Sequence, residues 1–465
     1  MFLKSMRKSE TMTVVFLIFI VILLRLPIFF LSHNNNDELI YLSLASKIDS
    51  YGFNVFKDTQ YNLWYVEKGF DPVNEIVAIF FSENKIGSLL KGFFGEDFRM
   101  SHHPPTLSFL IFISHTTCAH QMDYLVNVSE NIYVMARNFS FQFYACIVPF
   151  VFSALLLIAT YILGRLFFSH AVGLMGAFFL GITPAELMAA NKIWADDMTA
   201  FFVAASVILY LLALDKKRPT FAFVAGLSCG ISIITKMSGV YLIFIVMIFH
   251  FLRHVNERVN ARNLKNFFLD KNVLYFLAGA FIVSAWWLDL YFSHYSLKGM
   301  KGYFAVNQTW GAVKTFSGFY SRISNRPWFA YFVLTPAQSP FFALSYIFII
   351  FFILRNKIKS VSSLISGSCR YVQFFIIWMT VTLVLLMMMP GKEMRYLLIA
   401  CPAIALLSSQ CFVLFYEWLK TKENEVSPLL RETLVVSFVV LSLFFSLKIA
   451  LPVIFYRSDV IAFPF

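Results

Sequence analysis

The sequence predicts an all-α polytopic membrane protein, with about 11 transmembrane helices and interfacial or re-entrant helices in the first outer loop. Of its 465 residues, 59% are hydrophobic and only 14% are charged. The mean hydropathy is +0.71, and long apolar runs recur along the whole chain. Soluble globular domains are far more polar than this. Lipid is therefore the expected surroundings for most of the chain.

Eleven apolar runs are long enough, or nearly so, to cross a hydrocarbon core of about 30 Å at about 1.5 Å per residue. They begin near residues 13, 139, 170, 198, 219, 238, 272, 338, 371, 396 and 432. The first run, from about Thr13 to Leu31, follows basic residues as a signal peptide does. It is long enough to span, however, and has no small-residue cleavage site. We expect a retained first span and a cytoplasmic N-terminus.

The basic loops agree with this topology. With the N-terminus inside, the short loops rich in Lys and Arg all lie on the cytoplasmic side. These loops are at 216–218, 253–271, 355–359 and 420–422. The apolar segment from Thr106 to about Ala119 has only some 14 residues. If it crossed the membrane, every later loop would lie on the opposite side, and the basic loops would no longer be cytoplasmic. It is predicted as an interfacial or re-entrant helix.

The chain is predicted to form a single membrane domain over 1–465, with two large outer segments at 32–138 and 293–337 and no C-terminal soluble domain. Residues 32–100 carry ten Asp and Glu against six Lys and Arg, which is unlike a cytoplasmic loop. The net charge of +12 is spread through short loops, so no nucleic-acid partner is expected. The six cysteines form no Cys-x-x-Cys pair, which gives no support for a disulfide framework or a zinc site. We expect a multi-pass protein of a prokaryotic cytoplasmic membrane.

A set of ionisable residues outside the basic loops falls at the outer boundary in this topology. They are Asp37, Glu38, His102, His103, Asp196, Asp197, Lys236, Lys392, Glu393 and Arg395. Charged groups at membrane depth are costly and are usually paired, solvated in a cavity or functional. The sequence therefore predicts an outward-facing site.

Carboxylates are the candidates for acid–base chemistry. Asp37 is our first choice as a general base, which needs hydrogen-bond reach to an acceptor hydroxyl or amine and a pKa below the ambient pH. The alternative for Asp37 and Glu38 is the solvated end of a helix. For Asp196 and Asp197 it is an ordinary turn before the next helix.

Cations at the outer boundary point to an anionic ligand. Lys236, Lys392 and Arg395 lie opposite to where loop statistics put basic residues. They would hold a lipid phosphate and stabilise a phosphate leaving group; snorkelling to lipid headgroups is the alternative. His102 and His103 are adjacent and cannot easily point at one ion, so a hydrogen-bonding or phosphate-facing role is expected. No metal is indicated by ligand spacing, and the lack of a Gly-rich loop predicts no nucleotide cofactor.

Several motifs, taken in order, resemble the GT-C glycosyltransferases of the protein O-mannosyltransferase and lipid A aminoarabinose transferase type. The similar stretches are DELIYLSLASKI (37–48), HHPPTLSFLIF (102–112), NKIWADDMTAFF (191–202), GLSCGISIITKMSGVYL (226–242), RPWFAYFVLTPAQSPF (326–341) and PGKEMRYLLIACPAIAL (390–406). The resemblance covers nearly the whole of residues 12–418.

This resemblance implies transfer of a sugar from a polyprenyl-phosphate donor, with inversion at the anomeric carbon, to a glycan, lipid or protein acceptor. Asp37 would be the catalytic base, supported by Glu38 and Tyr41, and Asp197 would be the second outer acid. Lys236, Lys392 and Arg395 would bind phosphate. Ile40 stands where the aminoarabinose transferases have a cation, so phosphate binding by a residue at this position is not expected here.

Two other functions would use the same residues. A transporter or flippase of lipid-linked saccharides would line its path with Asp37, Asp196 and Lys236. It predicts charges at the bilayer midplane, whereas these lie at the outer ends of the spans. A non-catalytic subunit that binds polyprenyl phosphate would need the cations but not Asp37.

Overall fold

The structure is a computed structural model that describes residues 19, 22–30, 38, 41, 42, 45, 106–118, 139–254, 267, 269–294, 329–355, 370–388, 393–422 and 427–455. Within those ranges the regular structure is helical and contains no strand. The all-α fold predicted from composition is confirmed.

Thirteen α-helices lie in the part of the chain that the structure describes. They are α1 (Thr106–Cys118), α2 (Phe139–Phe167), α3 (His170–Gly181), α4 (Pro184–Ala190), α5 (Asp196–Lys216), α6 (Pro219–Thr235), α7 (Tyr241–His254), α8 (Lys271–His294), α9 (Ala330–Gln338), α10 (Pro340–Arg355), α11 (Arg370–Met388), α12 (Cys401–Thr421) and α13 (Pro428–Phe455). Short 3-10 helices cover Leu26–Phe29, Met237–Val240 and Met394–Ile399.

Each apolar run predicted from residue 139 onward coincides with a helix, with two differences. The run near 170 is bent by 65° between α3 and α4, because Thr183 precedes Pro184 and is extended at φ −71° and ψ 143°. The run near 396 opens with a 3-10 helix, and α12 begins only at Cys401. Four described helices are long and apolar enough to cross a membrane, or five if the bent pair is one span. The count of 11 crossings stays a prediction.

One large core holds most of the bundle together. Helices α6 and α8 pack closely, α5 lies against α6 and α2, and α12 lies against α3 and α10. Trp287, Trp378 and Tyr210 are among the largest side chains that are fully buried. By contrast, α13 is largely exposed, as expected of a helix that faces lipid.

A second, smaller core joins segments that are far apart in the sequence. It contains Ile28, Tyr41, Leu42, Ala45, Leu107, Ile111, Ala145, Cys146, Val148, Ile193, Ala195 and Met198. These residues come from the first segment, the first loop, α1, α2, the α4–α5 connection and the start of α5. Apolar packing therefore brings the first loop against the start of α5.

The close approach of α6 and α8 depends on two glycines. A Cβ added at Gly226 would lie 2.1 Å from the carbonyl oxygen of Phe276. A Cβ added at Gly279 would lie 2.2 Å from the carbonyl oxygen of Phe223. Both distances are shorter than any real contact, so the helix backbones touch at these positions.

We expect Gly226→Ala to lower the apparent melting temperature of the purified protein in detergent by several degrees. Overpacking costs about 1–3 kcal/mol, which exceeds alanine's higher helix propensity of about 1 kcal/mol. The control is Val224→Ala on the half-exposed face of the same helix. An unchanged or higher melting temperature for Gly226→Ala would contradict the close helix contact.

Candidate functional site

The first loop is anchored to the α4–α5 connection through Glu38. The Glu38 side chain is fully buried, and its Oε1 accepts a hydrogen bond of 2.9 Å from the Ile193 backbone N–H. Tyr41, one helical turn later, is buried in the small core beside Ile193. The residue that follows Asp37 is thus fixed next to the loop that leads into α5.

A buried ion pair holds the first segment to the bundle. The Arg25 guanidinium is paired with the Glu186 carboxylate, and both side chains are fully buried. Arg25 Nε also donates to Ser153 Oγ at 2.5 Å, and its Nη2 donates to the Gly181 carbonyl at 3.3 Å. Ser153 Oγ donates in turn to Glu186 Oε1 at 2.5 Å. Removing either charge would leave the other one buried without its partner.

Asn191 adds a second link to the same segment. Its Nδ2 donates to the carbonyls of Leu187 at 2.8 Å and Leu24 at 3.2 Å. Because Leu187 belongs to α4, this amide holds the end of that helix against the residue before Arg25. The connection from α4 to α5 is therefore fixed on both sides, by Asn191 and by the Glu38 contact at Ile193.

Asp197 lies in the first turn of α5 and is fully buried. Among the described residues, neither carboxylate oxygen has a hydrogen-bond partner. Arg25, Glu186 and Asp196 are close enough to act on it electrostatically. Burial disfavours its negative charge, whereas the helix N-terminus favours it. A buried, unsatisfied carboxylate of this kind is unusual and is a candidate for function.

Asp196, its neighbour, is paired with Lys236. Lys236 Nζ lies 2.6 Å from Asp196 Oδ1. Lys236 follows the last residue of α6 and is extended, at φ −157° and ψ 134°, so it interrupts the helix as the sequence predicted. Thr106 Oγ1 donates to the nearby Ile234 carbonyl at 2.7 Å. That bond places the start of α1 beside the interruption at Lys236.

The 3-10 helix before α12 completes the site. The Arg395 guanidinium stacks on the Trp194 ring, 4.1 Å from its centroid. Arg395 Nε donates to Glu393 Oε2 at 2.5 Å. The Tyr396 ring lies 4.6 Å from Lys236 Nζ and 5.4 Å from the Arg395 guanidinium. We call Trp194, Asp196, Lys236, Glu393, Arg395 and Tyr396 the charged–aromatic cluster.

The structure therefore brings together the predicted site residues that it describes. Glu38, Tyr41, Asp196, Asp197, Lys236 and Arg395 all lie around the start of α5. The other predicted residues, Asp37, His102, His103 and Lys392, lie outside the described residues. Their assigned roles stay predictions. In the parts of the chain that are described, no three His, Cys, Asp or Glu side chains form a metal-binding group, and metal dependence stays open to experiment.

Some residues of the site were not singled out from the sequence. They are Arg25, Ser153, Glu186, Trp194 and Tyr396. Arg25 and Glu186 carried a usable signal, because each is a single charge inside a long apolar run and their signs are opposite. Trp194 and Tyr396 lie inside the quoted stretches 191–202 and 390–406, but among 8 Trp and 21 Tyr residues neither was given a role of its own.

The fold and this arrangement define the class of protein: a polytopic helical membrane protein with a polar site where several helices end. The family model for dolichyl-phosphate-mannose-protein mannosyltransferases matches residues 74–298, slightly less than half of the chain. No curated protein sequence matches the chain.

Two solved structures have a similar fold. ArnT from Cupriavidus metallidurans, bound to undecaprenyl phosphate, is 12% identical with a TM-score of 0.54, over 88% of this chain and 61% of that protein. The archaeal oligosaccharyltransferase AglB from Archaeoglobus fulgidus, in complex with an inhibitory peptide and a dolichol-phosphate, is 14% identical with a TM-score of 0.58, over 96% and 56%. The chain thus spans about three fifths of these proteins. The predicted resemblance is thus confirmed in fold by these structures and in sequence by the family model over residues 74–298.

We expect the Arg25–Glu186 pair to behave as a coupled unit. Arg25→Met alone should destabilise the protein by about 3–5 kcal/mol, since it leaves Glu186 buried and unpaired. The double variant Arg25→Met, Glu186→Leu should recover most of that loss, because an apolar pair of similar volume is tolerated.

The test compares the apparent melting temperatures in detergent of the wild type, the two single variants and the double variant. Additive losses in the double variant would show that the two side chains do not act as a pair.

Proposed function

We propose that this chain is a membrane glycosyltransferase that moves a sugar from a polyprenyl-phosphate donor to an acceptor hydroxyl or amine. The observation that carries the proposal is the meeting of the first-loop acid segment with the cations Lys236 and Arg395 at the start of α5. Glycosyl transfer from such a donor needs a base for the acceptor and a positive site for the departing phosphate.

The proposed reaction needs no further reactant. The acceptor oxygen or nitrogen attacks the anomeric carbon and gives its proton to the Asp37 carboxylate. The bond from the anomeric carbon to the phosphate oxygen breaks, and its electron pair leaves with the polyprenyl phosphate. Attack from the face opposite the phosphate inverts the anomeric configuration.

We propose that Glu38 positions the base and does not react itself. Its side chain is fully buried and accepts a hydrogen bond from the Ile193 N–H. The neighbouring Asp37 would then be held at a fixed distance from the start of α5. Such positioning supports a near-attack geometry, since a displacement of the reacting groups by about 1 Å strongly lowers the reaction rate.

Lys236 and Arg395 are the proposed phosphate-binding residues. Both belong to interruptions between helices and not to helix interiors. Both lie over the Tyr396 ring, and we propose that one phosphate accepts hydrogen bonds from both. Cationic donors of this kind form short, strong hydrogen bonds to phosphate. The lipid tail would run along the apolar helices beside the site.

The site is proposed to face away from the cytoplasm. The basic loops at 216–218, 355–359 and 420–422 adjoin the ends of α5, α10 and α12 that lie opposite the charged–aromatic cluster. Basic loops favour the cytoplasmic side. The donor would then be presented from the outer leaflet, and the acceptor, a glycan, lipid or protein, would approach from outside.

Sugar transfer from synthetic polyprenyl-phosphate sugars to acceptors or water, with the purified protein in detergent, tests the proposal. We expect turnover by the wild type, an inverted product, and a loss of about 10²- to 10⁴-fold in kcat for Asp37→Asn, as for other general bases. The matched control is Asp215→Asn at the opposite end of α5, where the amide oxygen can still accept from the Tyr371 hydroxyl. It should keep wild-type activity.

Equal activity of Asp37→Asn and the wild type would remove the assigned base. Lack of turnover with every donor, in a protein that still binds polyprenyl phosphate, would instead favour the transporter or the non-catalytic binding subunit.

A further inference from the structure

The two cations proposed to hold phosphate already have carboxylate partners. Lys236 Nζ lies 2.6 Å from Asp196 Oδ1, and Arg395 Nε lies 2.5 Å from Glu393 Oε2. Asp196 is buried, while the Glu393 side chain is 31% exposed. A phosphate that reaches Lys236 or Arg395 must therefore share or displace a carboxylate.

Tyr396 couples the two ion pairs. Its hydroxyl donates to Glu393 Oε1 at 3.1 Å, and its ring faces both Lys236 and Arg395. Tyr331 donates to the Glu393 carbonyl at 3.0 Å and fixes the backbone there. An anion that enters the cluster therefore meets two cations and two carboxylates together.

The charge of the lipid phosphate changes during the proposed reaction. The donor is a phosphodiester with one negative charge. The released polyprenyl phosphate is a monoester whose second pKa is about 6, so it carries nearly two charges above neutral pH. An oxygen bound to Lys236 at a charge-assisted distance would lie about 5 Å from Asp196 Oδ1. Repulsion from that carboxylate grows with the charge on the phosphate.

We propose that Asp196 and Glu393 determine specificity for the charge of the lipid phosphate: they weaken binding of the dianionic product more than binding of the monoanionic donor. The inference rests on the proposed function and deepens it. The cations alone would hold the product more tightly than the donor and slow turnover. With one carboxylate beside each cation, binding of the phosphomonoester is weakened, and the product dissociates.

A purely structural role for the two pairs makes a different prediction. If Asp196 and Glu393 only stabilise the helix ends, replacing them changes the amount of folded protein and affects both lipids alike. The ratio of the two affinities in one variant separates the roles, because a loss of folded protein cancels in that ratio.

The test is direct binding of two unreactive probes to the full chain in detergent at pH 8. The probes are undecaprenyl phosphate, a monoester, and its methyl ester, a diester. Neither needs the sugar to be known. The variants are Asp196→Asn and Glu393→Gln. The control is Glu417→Gln, which removes a carboxylate 3.0 Å from Lys420 in an exposed pair at the other end of α12.

We expect each site variant to bind the monoester about tenfold more tightly than the wild type does, with a change of about threefold or less for the diester, since one nearby like charge is removed. The control should leave both dissociation constants unchanged. If the Asp196→Asn variant does not fold, Glu393→Gln alone provides the test, because the Glu393 side chain is the more exposed of the two.

The outcomes separate the two proposals. If both probes bind and neither variant changes the ratio of affinities, the charge selection is wrong and the proposed function stands. If neither probe binds the wild type, there is no lipid-phosphate site, and both the inference and the proposed function fail.

Discussion

The fold depends on a buried ion pair, because a charge inside a membrane protein is costly unless it is paired or serves a function. Arg25 in the first segment and Glu186 on α4 pair with each other, and Ser153 is bonded to both. The pair joins segments more than 150 residues apart in sequence and fixes the first segment against the bent α3–α4 unit. The loop that leaves α4 then runs directly to Asp196 and Asp197.

The candidate site is built where helices are interrupted. The α3–α4 bend, the break at Lys236 and the 3-10 helix before α12 free backbone groups that regular helices would use. Some of these groups find side-chain partners: the Ile234 carbonyl accepts from Thr106, and the Ile193 N–H donates to Glu38. Irregular backbone at such positions is tolerated where protein or a water-filled cavity surrounds it. The same interruptions carry Lys236 and Arg395, and each of these cations lies over the Tyr396 ring.

Much of this was predictable from sequence, because apolar run length and helix-breaking residues are local signals. The helices from residue 139 onward, the break at Lys236 and the placement of Asp196 and Lys236 at one boundary followed from them. Which side chains contact one another within the site could not be predicted from these signals. Arg25 and Glu186 could have been recognised as opposite charges in apolar runs, but which residue each contacts depends on packing across the whole bundle. The stacking of Arg395 on Trp194 is a tertiary contact between segments about 200 residues apart and leaves no periodic pattern.

We propose that one lipid phosphate is held between the break at Lys236 and the 3-10 helix at Arg395. An electron cryo-microscopy structure of the full chain with undecaprenyl phosphate would locate that phosphate. We expect the phosphorus atom about 4 Å from both Lys236 Nζ and the Arg395 guanidinium, as charge-assisted hydrogen bonds require. A phosphate bound at the opposite end of the bundle, beside the basic loop at 216–218, would contradict it.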